Sequence, residues 1–305
     1  MSKILIGVDG SEHSEDAVVF GRALALAAGA PLILAMAYPA SPLAVRHGAL
    51  AGHPVGEDAE AVLAELARPL HDVDDVELRP LGNLSPAQAL HETAEEEDAG
   101  LIVVGSSHTG RFGRVLPGST AERLLHGAPC PVAVVPNGYR TRGMPDRLAV
   151  GCAFRATEDG NAALGAAEEL ALALSASLRV MHVVEPMPWV YDSGETSLDL
   201  REINASIRAD AERAMNERVA GLSPRLRSVA TLYDGRPADV LTALSETVDL
   251  LVIGSRGYGP VKAVLLGGVS GRVIRSAACP VVVVPRRAHS AVGSVFAASA
   301  ATEPR

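Results

Sequence analysis

The chain reads as an α/β protein built from two similar halves, each an open five-stranded parallel sheet with helices on both faces. Three observations predict this. Short apolar runs alternate with helix-length segments, the order of a parallel sheet wound through crossover helices. The runs are nearly continuous in apolar residues, as strands covered on both faces require. The pattern also occurs twice: Gly105 and Gly254, Gly118 and Gly267, Cys130 and Cys279, and Pro136 and Pro285 are each 149 residues apart.

In the first half, residues 4–8 form the first predicted strand, which stops at Asp9-Gly10-Ser11; Ser14 is a candidate N-cap for an Ala-rich helix reaching Ala28. Residues 32–38 form the second strand. A loop from Pro39 to Gly56 leads to a helix expected over 58–70, with Ala61, Val62, Leu66 and Leu70 as its apolar positions. The third strand is 76–81. Pro86 suits the first turn of the next helix, where a missing N–H costs nothing, and the acidic run Glu95 to Asp98 closes that helix. A strand at 101–104, a helix from Gly118 to His126 and a strand at 132–135 complete the half.

The second half repeats this order, with strands expected at 148–152, 178–184, 229–233, 250–253 and 281–284. Near its start, Gly7 and Gly151 are 144 residues apart, which implies a few inserted residues between there and the 149-residue register. Gly138, Gly143 and Pro145 mark residues 138–146 as a linker between domains 1–137 and 147–287, and the small, polar stretch 288–305 reads as a flexible tail.

Composition narrows the function. A length of 305 residues suits two domains, and 48% hydrophobic residues with 21% charged ones is globular. A net charge of −9 is wrong for neutralising a nucleic-acid backbone, and Arg140, Arg142, Arg147, Arg286 and Arg287 are too sparse to make a basic patch. Cys130, Cys152 and Cys279 have no metal-site spacing and an odd number, which favours a reducing, cytoplasmic setting. The uncharged run Ala23 to Val45 is broken by Gly29-Ala30-Pro31 and Pro39, so it reads as helix, turn and strand rather than a membrane span.

Two stretches carry the chemistry. Leu101 to His108 and Leu250 to Gly257 each read as a buried strand followed by a glycine-bearing turn, and each is followed by a second glycine, Gly118 or Gly267, that opens a helix. Backbone N–H groups at such turns and the positive end of such helices attract phosphate. Ligands in doubly wound sheets bind outside the carboxyl ends of strands where the winding reverses, which makes the strand ends at Asp9 and Gly105 the natural walls. The G-x-x-x-x-G-K-[ST] and G-x-S-x-G motifs are absent, and no catalytic set emerges.

From Lys3 to Pro285 the chain resembles the universal stress protein family in its tandem two-domain form. The resemblance rests on Gly7-Val8-Asp9-Gly10-Ser11 after the first strand, on the pattern G-x2-G-x9-G-[ST] after the fourth, and on Cys130-Pro131-Val132 and Cys279-Pro280-Val281 before each last strand. It implies a Rossmann-like strand order 3-2-1-4-5, pairing of the two domains through their last strands, a homodimer, and bound ATP with Mg2+. It implies an adenine-nucleotide-binding stress-response or regulatory protein without a dedicated catalytic site. A nucleotide-free dimerising scaffold and a slow ATPase are the alternatives.

Carried over position by position, the resemblance places the first nucleotide site at Gly7, Val8, Asp9, Ala37, Val104, Gly105, His108, Gly118, Ser119 and Thr120. Asp9 would hold the ribose, Ala37 would wall the adenine, and His108 replaces a loop glycine. The second site falls at Gly151, Val183, Ile253, Gly254, Arg256, Gly257, Gly267, Gly268 and Val269, with Ala153 standing where Asp is expected and Gly268 where Ser or Thr is expected. Simpler roles compete. Ser119-Thr120-Ala121-Glu122 is also a capping box, and Asp9 before Gly10 also suits a side-chain-closed turn. Cys130 and Cys279 suit core packing, His47 and His53 near Asp58 lack metal-ligand spacing, and Trp189 and Tyr191 could cover a ligand or only the surface.

Overall fold

A computed structural model of the chain describes residues 2–39, 56–107, 112–142, 145, 147–186, 200–255 and 268–285. The first half runs β1 (Ile4–Val8), α1 (Glu12–Ala28), β2 (Leu32–Tyr38), α2 (Gly56–Leu66), β3 (Val76–Gly82), α3 (Pro86–Glu96), β4 (Leu101–Gly105), α4 (Ser119–Gly127) and β5 (Val132–Val135). A short helix, α5 (Tyr139–Arg142), leads into β6 (Ala149–Ala153), α6 (Glu158–Ala173), β7 (Ser177–Val184), α7 (Leu200–Val219), β8 (Ser228–Asp234), α8 (Pro237–Leu244), β9 (Leu250–Gly254), α9 (Gly268–Val273) and β10 (Val281–Val284).

The order 3-2-1-4-5 appears in both halves, but the expected two sheets are one. The ten strands run β3-β2-β1-β4-β5-β10-β9-β6-β7-β8. Every neighbouring pair is parallel except β5 with β10, which are antiparallel with Val281 opposite Val134, Val282 opposite Ala133 and Val283 opposite Val132. The reason is the composition of these two strands. Valine-rich runs at the ends of two separate sheets would present unpaired backbone groups and apolar side chains to water, and joining them buries all eight residues. The antiparallel join also points the strand carboxyl ends of the two halves toward opposite edges of the sheet.

Two apolar layers sandwich the sheet and cross this seam. One is formed with α1, α2, α6 and α7 and includes Phe20, Leu63, Leu170 and Met215; the other is formed with α3, α4, α8 and α9 and includes Leu90, Leu124, Leu241 and Val273. Polar contacts add to the seam. The Val115 N–H donates to the Ala277 carbonyl at 2.8 Å, Arg142 donates to the Ala278 carbonyl at 2.8 Å, and Arg275 pairs with Glu122 at 3.1 Å.

Residues 139–142, read from the sequence as part of a linker, are helical and docked. Tyr139 is buried edge-on against Phe20, with ring centroids 5.6 Å apart. The carboxylate of Asp16 on α1 accepts hydrogen bonds from the Gly138 and Arg140 N–H groups, both at 2.8 Å. The tail 288–305 lies outside the described residues, as do His47, His53, Trp189 and Tyr191.

Helix starts and stops differ from expectation in three places. Ser11, not Ser14, is the N-cap of α1, because the Ser14 hydroxyl is engaged with Asp9 instead. Gly118 is the N-cap of α4 and makes no side-chain cap, so the capping box at Ser119 does not form; Glu122 reaches across the seam to Arg275. The helix expected over 58–70 ends at Leu66 and passes into a 3-10 turn over Arg68–Leu70, since Pro69 has no N–H with which to continue the α-helical ladder.

The cysteines are buried and free, and burial pushes the thiols of Cys130 and Cys279 up to about 12, which makes them packing residues rather than nucleophiles. Among the described residues, no helix is long and apolar enough to cross a membrane.

Glu169 on α6 gives the fold a pH dependence. Its Oε2 is buried without a hydrogen-bond partner, and burial, reinforced by the neighbouring Glu168 carboxylate, pushes its carboxyl up to about 7. An acid whose folded pKa is raised favours the protonated native state, so its contribution to stability is lost as pH rises from about 4.5 through about 7. Discounted for the part of the side chain that stays in water, Glu169→Gln is expected to raise stability at pH 8 by about 1 kcal/mol and to leave it little changed at pH 4. Urea midpoints at the two pH values measure this, and equal shifts at both would refute it.

Candidate functional site

The sheet register defines how the two halves correspond. Gly7 pairs with Ala35 and Val104, whereas Ala153 pairs with Met181 and Ile253. Val104 and Ile253 are a 149-residue pair, so the counterpart of Gly7 is Ala153, at an offset of 146. The same offset relates the N-caps Ser11 and Thr157, and it relates Ala37 to Val183. Matching Gly7 with Gly151 is therefore wrong by two residues. Gly151 is the counterpart of Leu5 and lies inside β6, where an added Cβ would sit 2.7 Å from the Met181 methyl; it is a packing position. The counterpart of Asp9 is likewise Arg155 rather than Ala153.

At the first site Asp9 closes the turn between β1 and α1. Its Oδ1 accepts from the Ser11 N–H at 3.0 Å, the Ser11 hydroxyl at 2.6 Å and the Ser14 hydroxyl at 2.8 Å, while its own N–H donates to Ser14 Oγ at 2.9 Å. The carboxylate is exposed at the strand end beside Val8, and Gly7 lies one residue further down β1. Val104 and Gly105 end the neighbouring β4, and Ala37 stands near the end of β2. Gly105 is required by proximity, since a Cβ there would lie 2.4 Å from the His13 carbonyl oxygen in the first turn of α1. The Ser106 hydroxyl donates to the Val135 carbonyl at 2.7 Å, and the Ser107 N–H donates to Leu116 at 2.7 Å, which brings Gly118, Ser119 and Thr120 alongside the end of β4. His108 lies outside the described residues.

The second half contains a cavity of about 710 Å³ outside the carboxyl ends of β6, β7 and β9. Of the residues expected from the sequence, Val183, Ile253, Gly254 and Val269 line it, and Gly268 begins the helix that carries Val269. Gly254 repeats the close approach of Gly105, with an added Cβ 2.6 Å from the Asp159 carbonyl oxygen. Arg256, Gly257 and Gly267 lie outside the described residues. Ile207 and Ala211 of α7, with Pro237 and Leu241 of α8, add apolar wall.

Among the lining residues missed from the sequence are Phe154, Arg155 and His182. Phe154 is buried, its N–H donates to the Met181 carbonyl at 2.8 Å, and its ring stands edge-on to His182 with centroids 6.1 Å apart. Burial, and then the nearby Arg155 charge, lower the pKa of His182, so the imidazole is neutral near pH 7; its Nδ1 is buried without a hydrogen-bond partner. A neutral ring nitrogen can donate or accept according to tautomer. The 146-residue offset, which maps Val8 and Asp9 onto Phe154 and Arg155, was the signal that would have found those two positions; the counterpart of His182 is Met36, which carried no such signal.

An apolar wall with a few convergent polar groups is the chemistry of a small-molecule site. Among the described residues, no cluster of three metal-ligating side chains exists. Such a wall can hold and orient a small molecule.

Comparison with known proteins agrees with this layout. The family model for the universal stress protein family matches residues 1–136 and 148–285. A universal stress protein of Mycolicibacterium smegmatis is 30% identical over 299 residues, covering 93% of this chain and 97% of its own length. One from Mycobacterium tuberculosis is 28% identical over 297 residues, covering 92% and 96%. The crystal structure of a universal stress protein from Archaeoglobus fulgidus superposes with a TM-score of 0.65 at 23% identity, over 93% of this chain and 98% of that one, and so shares its fold. With both halves matched, the chain belongs to the universal stress protein family.

Proposed function

We propose that this protein is a cytoplasmic adenine-nucleotide-binding regulator of the stress response that takes ATP with Mg2+ at the strand ends of its domains. The observation that carries this reading is the cavity of about 710 Å³ at the topological switch point of the second half, within the size range of sites that enclose a drug-sized ligand. The residues fit such a ligand. Val183, Met181 and Leu241 offer apolar surface to a base, and the unpartnered Nδ1 of His182 offers a hydrogen bond. Magnesium would be held by phosphate oxygens and water, which needs no dedicated protein cage. Three free, buried cysteines suit a reducing compartment.

Purification without added ligand, denaturation, and chromatography of the released small molecules test this reading. Adenine nucleotide recovered with the protein, or binding of added ATP by the apo protein, is the expected result. A protein that carries none and fails to bind millimolar ATP would remove the reading in favour of a nucleotide-free scaffold. ATP turnover that stops in an Asp9→Ala, Gly118→Ala double variant, in which an added Cβ at Gly118 meets nothing nearer than 3.8 Å, would instead revive a slow ATPase.

A further inference from the structure

The end of β1 carries an acid in one half, and the corresponding place after β6 carries a base in the other. Asp9 and Arg155 occupy the same register position, one residue after Val8 and Phe154 and two before the helix N-caps Ser11 and Thr157. The connecting turns are of equal length, so the two groups face the same part of whatever each domain holds. Their surroundings differ accordingly. Asp9 is tied to the Ser11 and Ser14 hydroxyls. At the place of Ser14 the second half has Gly160, where a Cβ would lie 2.0 Å from the Arg155 carbonyl oxygen, and the hydroxyl of Thr157, at the place of Ser11, accepts from the Gly160 N–H at 3.3 Å as the helix cap. Arg155 is exposed at the cavity wall, makes no ion pair among the described residues, and is close enough to bias the His182 imidazole.

We propose that the second cavity selects adenine nucleotides bearing an additional phosphate on the ribose, at its 2′ or 3′ position, and that Arg155 is the group that recognises it. The inference rests on the nucleotide reading above, with the ribose at the end of the first strand of each domain. A carboxylate there accepts hydrogen bonds from ribose hydroxyls and repels phosphate. A guanidinium there presents a fork of N–H donors to phosphate oxygens, the same exchange by which doubly wound folds distinguish a free 2′-hydroxyl from a 2′-phosphate. The other charges on the wall sharpen the choice. Glu158, Asp159 and Glu185 are acidic; Glu158 and Asp159 already have interactions of their own, and Glu185 is exposed to water. They repel an extra phosphate, and Arg155 is the one Lys or Arg among the lining residues described that offsets them.

Calorimetric titration of the full chain with adenosine 2′,5′-bisphosphate and adenosine 3′,5′-bisphosphate, each then competed with 5′-AMP, tests the proposal. The expected result is one equivalent of bisphosphate per chain, bound on the order of 10- to 100-fold more tightly than 5′-AMP at that site, as a charged hydrogen-bonded contact implies. The arm that binds more tightly identifies the phosphate position. Arg155→Gln is expected to remove the difference and Arg155→Asp to invert it; Arg155 is exposed and unpaired, so both variants fold. Equal affinity for bisphosphate and 5′-AMP in the unaltered chain, or a preference that survives Arg155→Gln, overturns the selectivity while leaving nucleotide binding in place. A chain that binds neither class overturns both.

Discussion

Replacing Asp16 by alanine is expected to destabilise the protein by about 3–5 kcal/mol, the usual effect of removing one partner from a buried, hydrogen-bonded charge pair. Asp16 is 0% exposed. Its two oxygens accept from the main-chain N–H groups of Gly138 and Arg140 at 2.8 Å, and Oδ2 also meets the Arg140 guanidinium at 3.3 Å. Alanine would leave both N–H donors and part of a guanidinium without their acceptor. Those donors belong to the segment that carries the chain from β5 toward β6, so the loss also loosens Tyr139 from Phe20. Urea unfolding measures the effect. A lower midpoint with an unchanged slope reports lost stability of one cooperative body, whereas a shallower or two-step transition reports that the halves have uncoupled. Glu12→Gln, which touches the same arginine from the exposed surface, is expected to cost less than about 1 kcal/mol. An Asp16→Ala protein within about 1 kcal/mol of the parent would show that the segment is held by other contacts.

Phe154→Ala is expected to cost about 3–5 kcal/mol, the range for deleting a large aromatic side chain from a core. Phe154 is 2% exposed and lines the cavity. Deletion removes its contact with His182 and opens space continuous with the cavity, so water can enter and the cost should fall near the lower end of the range. The same deletion frees the His182 ring to turn, and it is expected to weaken nucleotide binding at the second site. Denaturation and titration of one preparation read both effects. Unchanged affinity together with the full stability loss would place the ligand away from the Phe154 and His182 wall.

Strands were legible in the sequence because burial on both faces leaves a continuous apolar run. Val132–Val135 and Val281–Val284 were read to the residue for that reason. Their pairing with each other was expected from the family resemblance and not from the runs themselves, which show what must be buried while only pairing shows against what. The helix at 139–142 was hidden because its anchor, Asp16, lies 122 residues from Gly138 and looks in the sequence like any acid on an exposed turn. The site was half legible. Glycines at strand ends stood out because helix carbonyls press against them at Gly105 and Gly254. The Asp9 counterpart was misplaced because glycines were matched by identity, and Gly151 is a glycine for a different reason, the Met181 and Val248 side chains packed over it. Backbone pairing across the sheet, which aligns Ala153 with Ile253, is blind to such coincidences.

The antiparallel pairing of β5 with β10 has a consequence for behaviour at low concentration. Two separate chains joined through such strands would come apart on dilution, and their binding sites would be identical by symmetry. Here the partner strands share one polypeptide, so their encounter is intramolecular and its effective concentration is set by the intervening segment rather than by the amount of protein in solution. The strand end that bears Asp9 and the strand end that bears Arg155 are thus held at a fixed one-to-one ratio at any protein concentration, on opposite edges of a single sheet, a pairing of unlike ends that a symmetric dimer of identical halves could not maintain.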